Sequence, residues 1–230
     1  MSTVPVSPEA PWRGGLRAAR ANLLPGSVLQ VMALALVLAY YWHAPTHRIV
    51  ARLSAVRVDL GLVSGIISTG FCGGVLPFLY LRYGPRGGAR LGWRQGAFLT
   101  GFWAYKGLEV DLFYRLLAWT IGSNHDAQTV VIKTLLDQFV YCPVFAVPLT
   151  VVAYEWSESG FSMARVMADI RVSGWYGRRV LPMLLSSLSV WLPGAAIIYS
   201  LPTPLQLPLQ NIVLCFYTLL IAHLSRHTKR

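Results

Sequence analysis

The chain has 230 residues, 55% hydrophobic and only 13% charged, against about 25% charged in an ordinary soluble domain. Residues 21–47, 60–81 and 180–224 contain no Asp, Glu, Lys or Arg, which suits helical membrane crossings of about 20 residues each and excludes a soluble enzyme, a disordered chain, a secreted disulfide scaffold and a β-barrel of alternating ~10-residue strands. The formal net charge of +11 then reads as basic loops held on one side of a membrane and not as a nucleic-acid surface.

The first 23 residues carry Pro5, Pro8 and Pro11, then Arg13, Arg17 and Arg20 beside an apolar stripe of Trp12, Leu16, Ala19 and Leu23. That spacing predicts a short basic helix on anionic lipid headgroups. With Glu9 as its one acid, an organellar transit peptide is the alternative. Six spans are predicted beyond it, at about 24–42, 60–81, 97–121, 133–153, 180–200 and 205–224, because lipid leaves the backbone no partner but itself. The first two flank a loop with Arg48, Arg52 and Arg57. His43 and His47 lie four apart there without an evident third ligand, so no metal site is expected.

In the second span, Gly61, Gly65, Thr69, Gly73 and Pro77 recur every four residues, with Gly70 and Gly74 alongside. Small residues at that spacing let helix backbones approach closely. Helix packing is the expectation, and a thin-walled pore lining is the other reading. Gly84-Pro85-Arg86-Gly87-Gly88 reads as a basic turn, since no phosphate-loop Lys-Ser or Lys-Thr follows it.

The third and fourth spans hold the chemistry. Lys106 and Glu109 are i,i+3, while Asp111 with Arg115, and Lys133 with Asp137, are i,i+4. Each acid is thus expected to pair on its own helix. A charge at the bilayer centre costs about 2.5–3.5 kcal/mol on insertion scales, so such residues face a bundle interior or a wet cavity. Lys106, Glu109, Asp111, Arg115, Asp137 and Gln138 are therefore candidates for a polar path or gate. The alternative is an internal salt-bridge network that only fixes helix packing. Pro143 and Pro148 free backbone carbonyls that Gln138 and other polar side chains could satisfy.

Residues 154–179 form a long loop in which Met163, Val166, Met167 and Ile170 follow helical spacing and Arg165 and Asp169 make an i,i+4 pair. A helix in the headgroup layer, followed by Trp175-Tyr176 at the interface, is one reading, and a plain connecting helix is the other. Pro202, Pro204 and Pro208 mark the turn between the last two spans. Cys72, Cys142 and Cys215 sit in apolar stretches and read as packing residues. With the N-terminus inside, Arg48, Arg52 and Arg57 are the outer cations and Lys106, Arg115 and Lys133 lie within spans. The other fourteen of the twenty fall inside, which places both termini on the cytosol-like side.

Taken in order, several short motifs resemble the Mpv-seventeen and peroxisomal 22-kDa membrane protein family. Leu136-Asp137-Gln138 with Pro143 and Phe145 is similar to its Asp-Gln-x-x-x-x-Pro stretch. Gly107, Phe113 and Tyr114 are similar to its Gly-Pro…Trp-Tyr segment. Trp191-Leu192-Pro193, Pro204 and Leu224-Ser225 are similar to its closing elements. The chain departs from the pattern in Leu108 after Gly107, in Asp111 where His is usual, and in Ala196 and Tyr199 at the Gln and Asn positions. The resemblance covers about residues 60–230 and marks a divergent member. It implies a multi-pass helical protein with weakly selective channel activity and no cofactor.

The expectation is an all-α, multi-pass transmembrane helical bundle. Residues 1–57 would form a basic surface helix plus an extra first span, and 58–230 the family-like helical domain. The expected function is a weakly selective small-solute or ion channel or passive transporter, and not an enzyme. The alternative is a non-conducting scaffold or assembly factor. Its partners would be the bilayer with its anionic headgroups and a second copy of the chain, with no nucleic acid. A bacterial inner membrane is favoured over an organellar one.

Overall fold

A computed structural model of the chain describes residues 11–83 and 91–227, with side chains described from Trp12 to Leu219. The expectations for Pro5, Pro8, Glu9 and the Gly84–Gly88 turn lie outside the described residues. So do the side chains of His223, Leu224, Ser225, Arg226 and His227. The elements are α1 (Pro11–Trp42), α2 (Ala44–Leu60), α3 (Leu62–Tyr83), α4 (Trp93–Ile121), α5 (Ala127–Glu158), α6 (Met163–Arg171), α7 (Tyr176–Tyr199) and α8 (Thr203–His227). The described residues contain no strand. Four of these helices, α1, α3, α5 and α7, are long and apolar enough to cross a membrane.

The molecule is inside out relative to a soluble bundle. Leu24, Val31, Trp42, Ile67, Trp119 and Val144 are well exposed, whereas Arg57, Lys106, Asp111, Lys133 and Asp137 are buried. An apolar surface of this extent needs a nonpolar surrounding.

Two expectations for the N-terminal region change. The basic segment and the first span form one continuous α1, 32 residues long and so about 48 Å at 1.5 Å per residue. That exceeds the ~30 Å of bilayer hydrocarbon, so the turns bearing Arg13, Arg17 and Arg20 can stand in the headgroup layer. The loop predicted between the first two spans is instead α2. Its first turn is capped by the His43 ring, which accepts from the Thr46 amide at 3.4 Å. His47 stacks on Tyr40. Arg57 is no loop cation. It sits in the last turn of α2, only 7% exposed. Gly61 ends α2 at φ +56°, which disfavours any side chain.

Helices α3 and α4 meet backbone to backbone, so the small-residue stripe is used inside the chain. A methyl group built on Gly65 would lie 3.1 Å from the Gly107 carbonyl, and one on Gly74 would lie 2.5 Å from the Thr100 Cα. Gly73 abuts the Trp103 ring and Gly70 abuts Ala104. Gly61 takes no part, since a methyl there would meet nothing within 4 Å. Along α7, α1 runs parallel. Asn22 donates to Ser186 at 2.9 Å, Gln30 to the Val190 carbonyl at 3.1 Å and Tyr41 to the Ser200 carbonyl at 2.7 Å.

Among the described residues, three wide π-type segments occur in the helices, at Gly70–Val75, Asp137–Ala146 and Tyr176–Val180. Each ends two residues before a proline: Pro77, Pro148 and Pro182. Proline clashes with the carbonyl four residues back and cannot donate to it. Widening the preceding turn moves that carbonyl away, and the residue before each proline donates five residues back, to Phe71, Cys142 and Tyr176.

The amphipathic α6 forms where its spacing predicts it, but its acid pairs elsewhere. Asp169 binds Arg179 at 2.9 Å and Arg178 at 3.4 Å, while Arg165 donates to the Ser159 carbonyl. The sharp turn after α6 brings Arg178 and Arg179 closer to Asp169 than its own helical neighbour. The hydrogen bond from Arg179 holds the Asp169 carboxyl below its ordinary range. Of the three turn prolines, Pro202 and Pro204 flank the start of α8, and Pro208 lies inside that helix.

Candidate functional site

Among the described residues, two clusters of charged side chains lie inside the bundle, with Lys133 buried apart from them. The first joins α4, α5 and α7. The Lys106 ammonium binds Glu109 Oε1 at 2.5 Å, with each side chain 7% exposed, as the i,i+3 spacing predicts. Tyr141 Oη donates to the same oxygen from α5. The Tyr141 ring lies under the Lys106 ammonium at 5.7 Å and stacks on Phe113 at 4.0 Å. Glu109 Oε2 is buried without a partner. Asp137 and Tyr141 both lie in the π-type stretch Asp137–Ala146.

Asp137 does not pair with Lys133. Its Oδ2 accepts from Tyr199 Oη at 2.9 Å, and Cys142 Sγ lies 3.6 Å from its Oδ1. Gln138 is buried next to it in sequence. Lys133 is 1% exposed and makes no ion pair among the described residues. The i,i+4 rule describes a helix surface in water. Here a phenol from another helix reaches the carboxylate instead. Tyr199 packs edge-on against Tyr114 at 5.3 Å, and Tyr114 Oη donates to Gln210 on α8.

The second group is Arg57, Asp111 and Arg115. Asp111 Oδ2 takes the predicted bond from Arg115 at 3.3 Å, but its Oδ1 binds Arg57 from α2. Arg57 also donates to the Thr203 carbonyl at 3.1 Å and to the Pro204 carbonyl. The second of these follows from the sequence. In a regular helix the Pro204 carbonyl would accept from residue 208, but residue 208 is proline and has no N–H. The Arg57 guanidinium supplies the missing donor. Arg57, Val58, Asp111, Arg115, Thr203 and Pro204 line a pocket of about 170 Å³. The Arg115 side chain is half exposed at its mouth.

Nearby, Asn211 accepts from Thr69 at 2.9 Å and donates to Ser68 at 2.8 Å, tying α8 to α3. Thus Thr69, read as a packing position, also carries a buried hydrogen bond. Of the expected path residues, Lys106, Glu109 and Asp137 gather at the α4–α5 contact, and Asp111 and Arg115 gather at the pocket. Sequence reasoning missed Arg57, Tyr114, Tyr141, Tyr199 and Gln210. One signal was present for Arg57: Pro204 and Pro208, four apart, announce a carbonyl in need of a donor. Among the described residues, no three of His, Cys, Asp and Glu gather to hold a metal ion. Comparison with known proteins returns no matching family model, curated protein or solved structure.

Proposed function

We propose that this chain passes small solutes or ions passively across a membrane. In this reading Lys106, Glu109, Asp137 and Gln138 gate a polar path, and the Arg57–Asp111–Arg115 pocket is one mouth of it. The supporting observation is the placement of charge: ionic groups from α2, α4 and α5 meet inside a bundle whose exposed surface is apolar. Intramembrane ionic groups of this kind commonly mark solute and ion pathways. In this reading α4 and α8 cross the bilayer as well, which gives six spans and both termini on the cytosol-like side. The resemblance to the Mpv-seventeen family implies the same class of activity, and a bacterial inner membrane is the favoured location.

The test is single-channel recording of purified protein in a planar bilayer, wild type beside Asp137→Asn. The amide keeps an acceptor for Tyr199, so folding is retained while a charge is removed. Altered ion selectivity or gating is the expected result. A silent bilayer from folded, inserted protein overturns the proposal.

A second reading, a non-conducting scaffold, draws on a different observation. Glu109, Asp111 and Asp137 each already have a cation or phenol partner. The charges would then fix helix packing alone. In that reading the Gly65–Gly73 stripe, already covered by α4, is not the partner surface.

A further inference from the structure

The pocket between α2, α4 and the start of α8 has the composition of an oxyanion site. Its walls carry two guanidinium groups and one carboxylate. Both Asp111 oxygens already face a guanidinium, Oδ1 toward Arg57 and Oδ2 toward Arg115. The carboxylate is therefore masked, and one positive charge is left over. Arg115 makes one side-chain hydrogen bond, at 3.3 Å, and its side chain is 50% exposed. Most of its planar fork of five donors is thus unused at the mouth.

The helix end at the pocket and the pocket's size bear on the ligand. Thr203 and Pro204 open the 25-residue helix α8, whose N-terminus carries partial positive charge. Size narrows the ligand. The cavity volume is about 170 Å³. It is below the ~300 Å³ at which organic-ligand pockets usually begin. A nucleotide is too large, whereas a tetrahedral or planar oxyanion fits.

We infer that the Arg57–Asp111–Arg115 pocket binds a phosphate-class oxyanion, with Arg115 as its principal ligand. This rests on the transport reading only in making the pocket a mouth of the path, and so names an anionic solute as cargo. The same chemistry could be presented by a free phosphate or by a lipid phosphomonoester headgroup.

The test reads binding without flux. The delipidated full chain in nonionic detergent is titrated calorimetrically with inorganic phosphate, with sodium chloride at matched ionic strength as control. In parallel, the chain in zwitterionic nanodiscs with and without phosphatidate is assayed by native mass spectrometry. Arg115→Gln is compared with wild type after it is shown to keep the wild-type melting profile. Saturable phosphate binding, weakened at least tenfold by Arg115→Gln, supports a free oxyanion as ligand. Phosphatidate retention that Arg115→Gln weakens at least tenfold supports the site with a lipid headgroup as its source. Binding of neither by folded wild type overturns the inference, as does equal binding by wild type and Arg115→Gln. A silent bilayer with intact phosphate binding would count against transport alone, and conduction without such binding would count against this site alone.

Discussion

The Arg57–Asp111 pair allows a quantitative prediction. Arg57 is 7% exposed and Asp111 1%, so both charges are largely withdrawn from solvent. At ~4 Å and an effective dielectric of ~20, a pair of unit charges gains about 4 kcal/mol. Removing one partner of a buried pair typically costs ~3–5 kcal/mol, because the other charge is stranded. The Arg115 bond adds little, since its side chain is half exposed and such pairs contribute ~0–1 kcal/mol. Asp111→Leu is therefore expected to cost ~3–5 kcal/mol. Arg57→Met costs as much and also strips the donor from the Pro204 carbonyl, worth a further ~1–3 kcal/mol. The double variant strands no buried charge and should fall short of wild type by about that carbonyl term. Adding Pro208→Ala restores a backbone N–H four residues from Pro204 and should recover it. SDS titration of purified protein in mixed micelles, followed by far-UV circular dichroism, gives the full cycle. A coupling energy below ~1 kcal/mol, or no recovery with Pro208→Ala, would refute the reasoning.

Gly107→Ala should destabilise the chain by ~1–3 kcal/mol or more, because its new methyl would press on the Gly65 backbone and the Thr69 Cβ, whereas Gly101→Ala, with nothing within 4 Å, should be neutral or stabilising; equal effects in the same titration would exclude a close α3–α4 contact. Lys133→Met should raise the unfolding midpoint, since Lys133 is buried without an acid; a lower midpoint would reveal a hidden role for the ammonium. Asp126 accepts from the Thr129 amide at 3.0 Å and its hydroxyl at 2.8 Å, capping α5. These bonds lower its carboxyl from the ordinary 3.8. With the folded value below the unfolded one, the cap's contribution is complete above about pH 4 and fades as pH falls through the folded value. Amide exchange at Thr129 should therefore accelerate only in that acid window, and Asp126→Asn, which still caps, should abolish the dependence.

Much of the architecture is legible in the sequence because its causes are local. Uncharged stretches of span length identify the bilayer as solvent. The Lys106–Glu109 bond is one helical turn long and follows from spacing alone. The glycine stripe of α3 announces close packing. The second partner of each contact was not legible. Gly107 and Thr100 oppose the stripe from a helix whose own pattern is dominated by its charges. Arg57 meets Asp111 from 54 positions away, and Tyr199 meets Asp137 from 62. No periodicity relates such residues. In an apolar surrounding an acid takes whichever donor the packing brings nearest, so Lys133 lost Asp137 to a phenol on α7. The sequence determined an all-α membrane chain with charges that must be hidden, and the tertiary structure alone decided which helix hides each one. Hydropathy and helical spacing act within a turn or a span, whereas pairing across helices depends on the packing of the whole bundle.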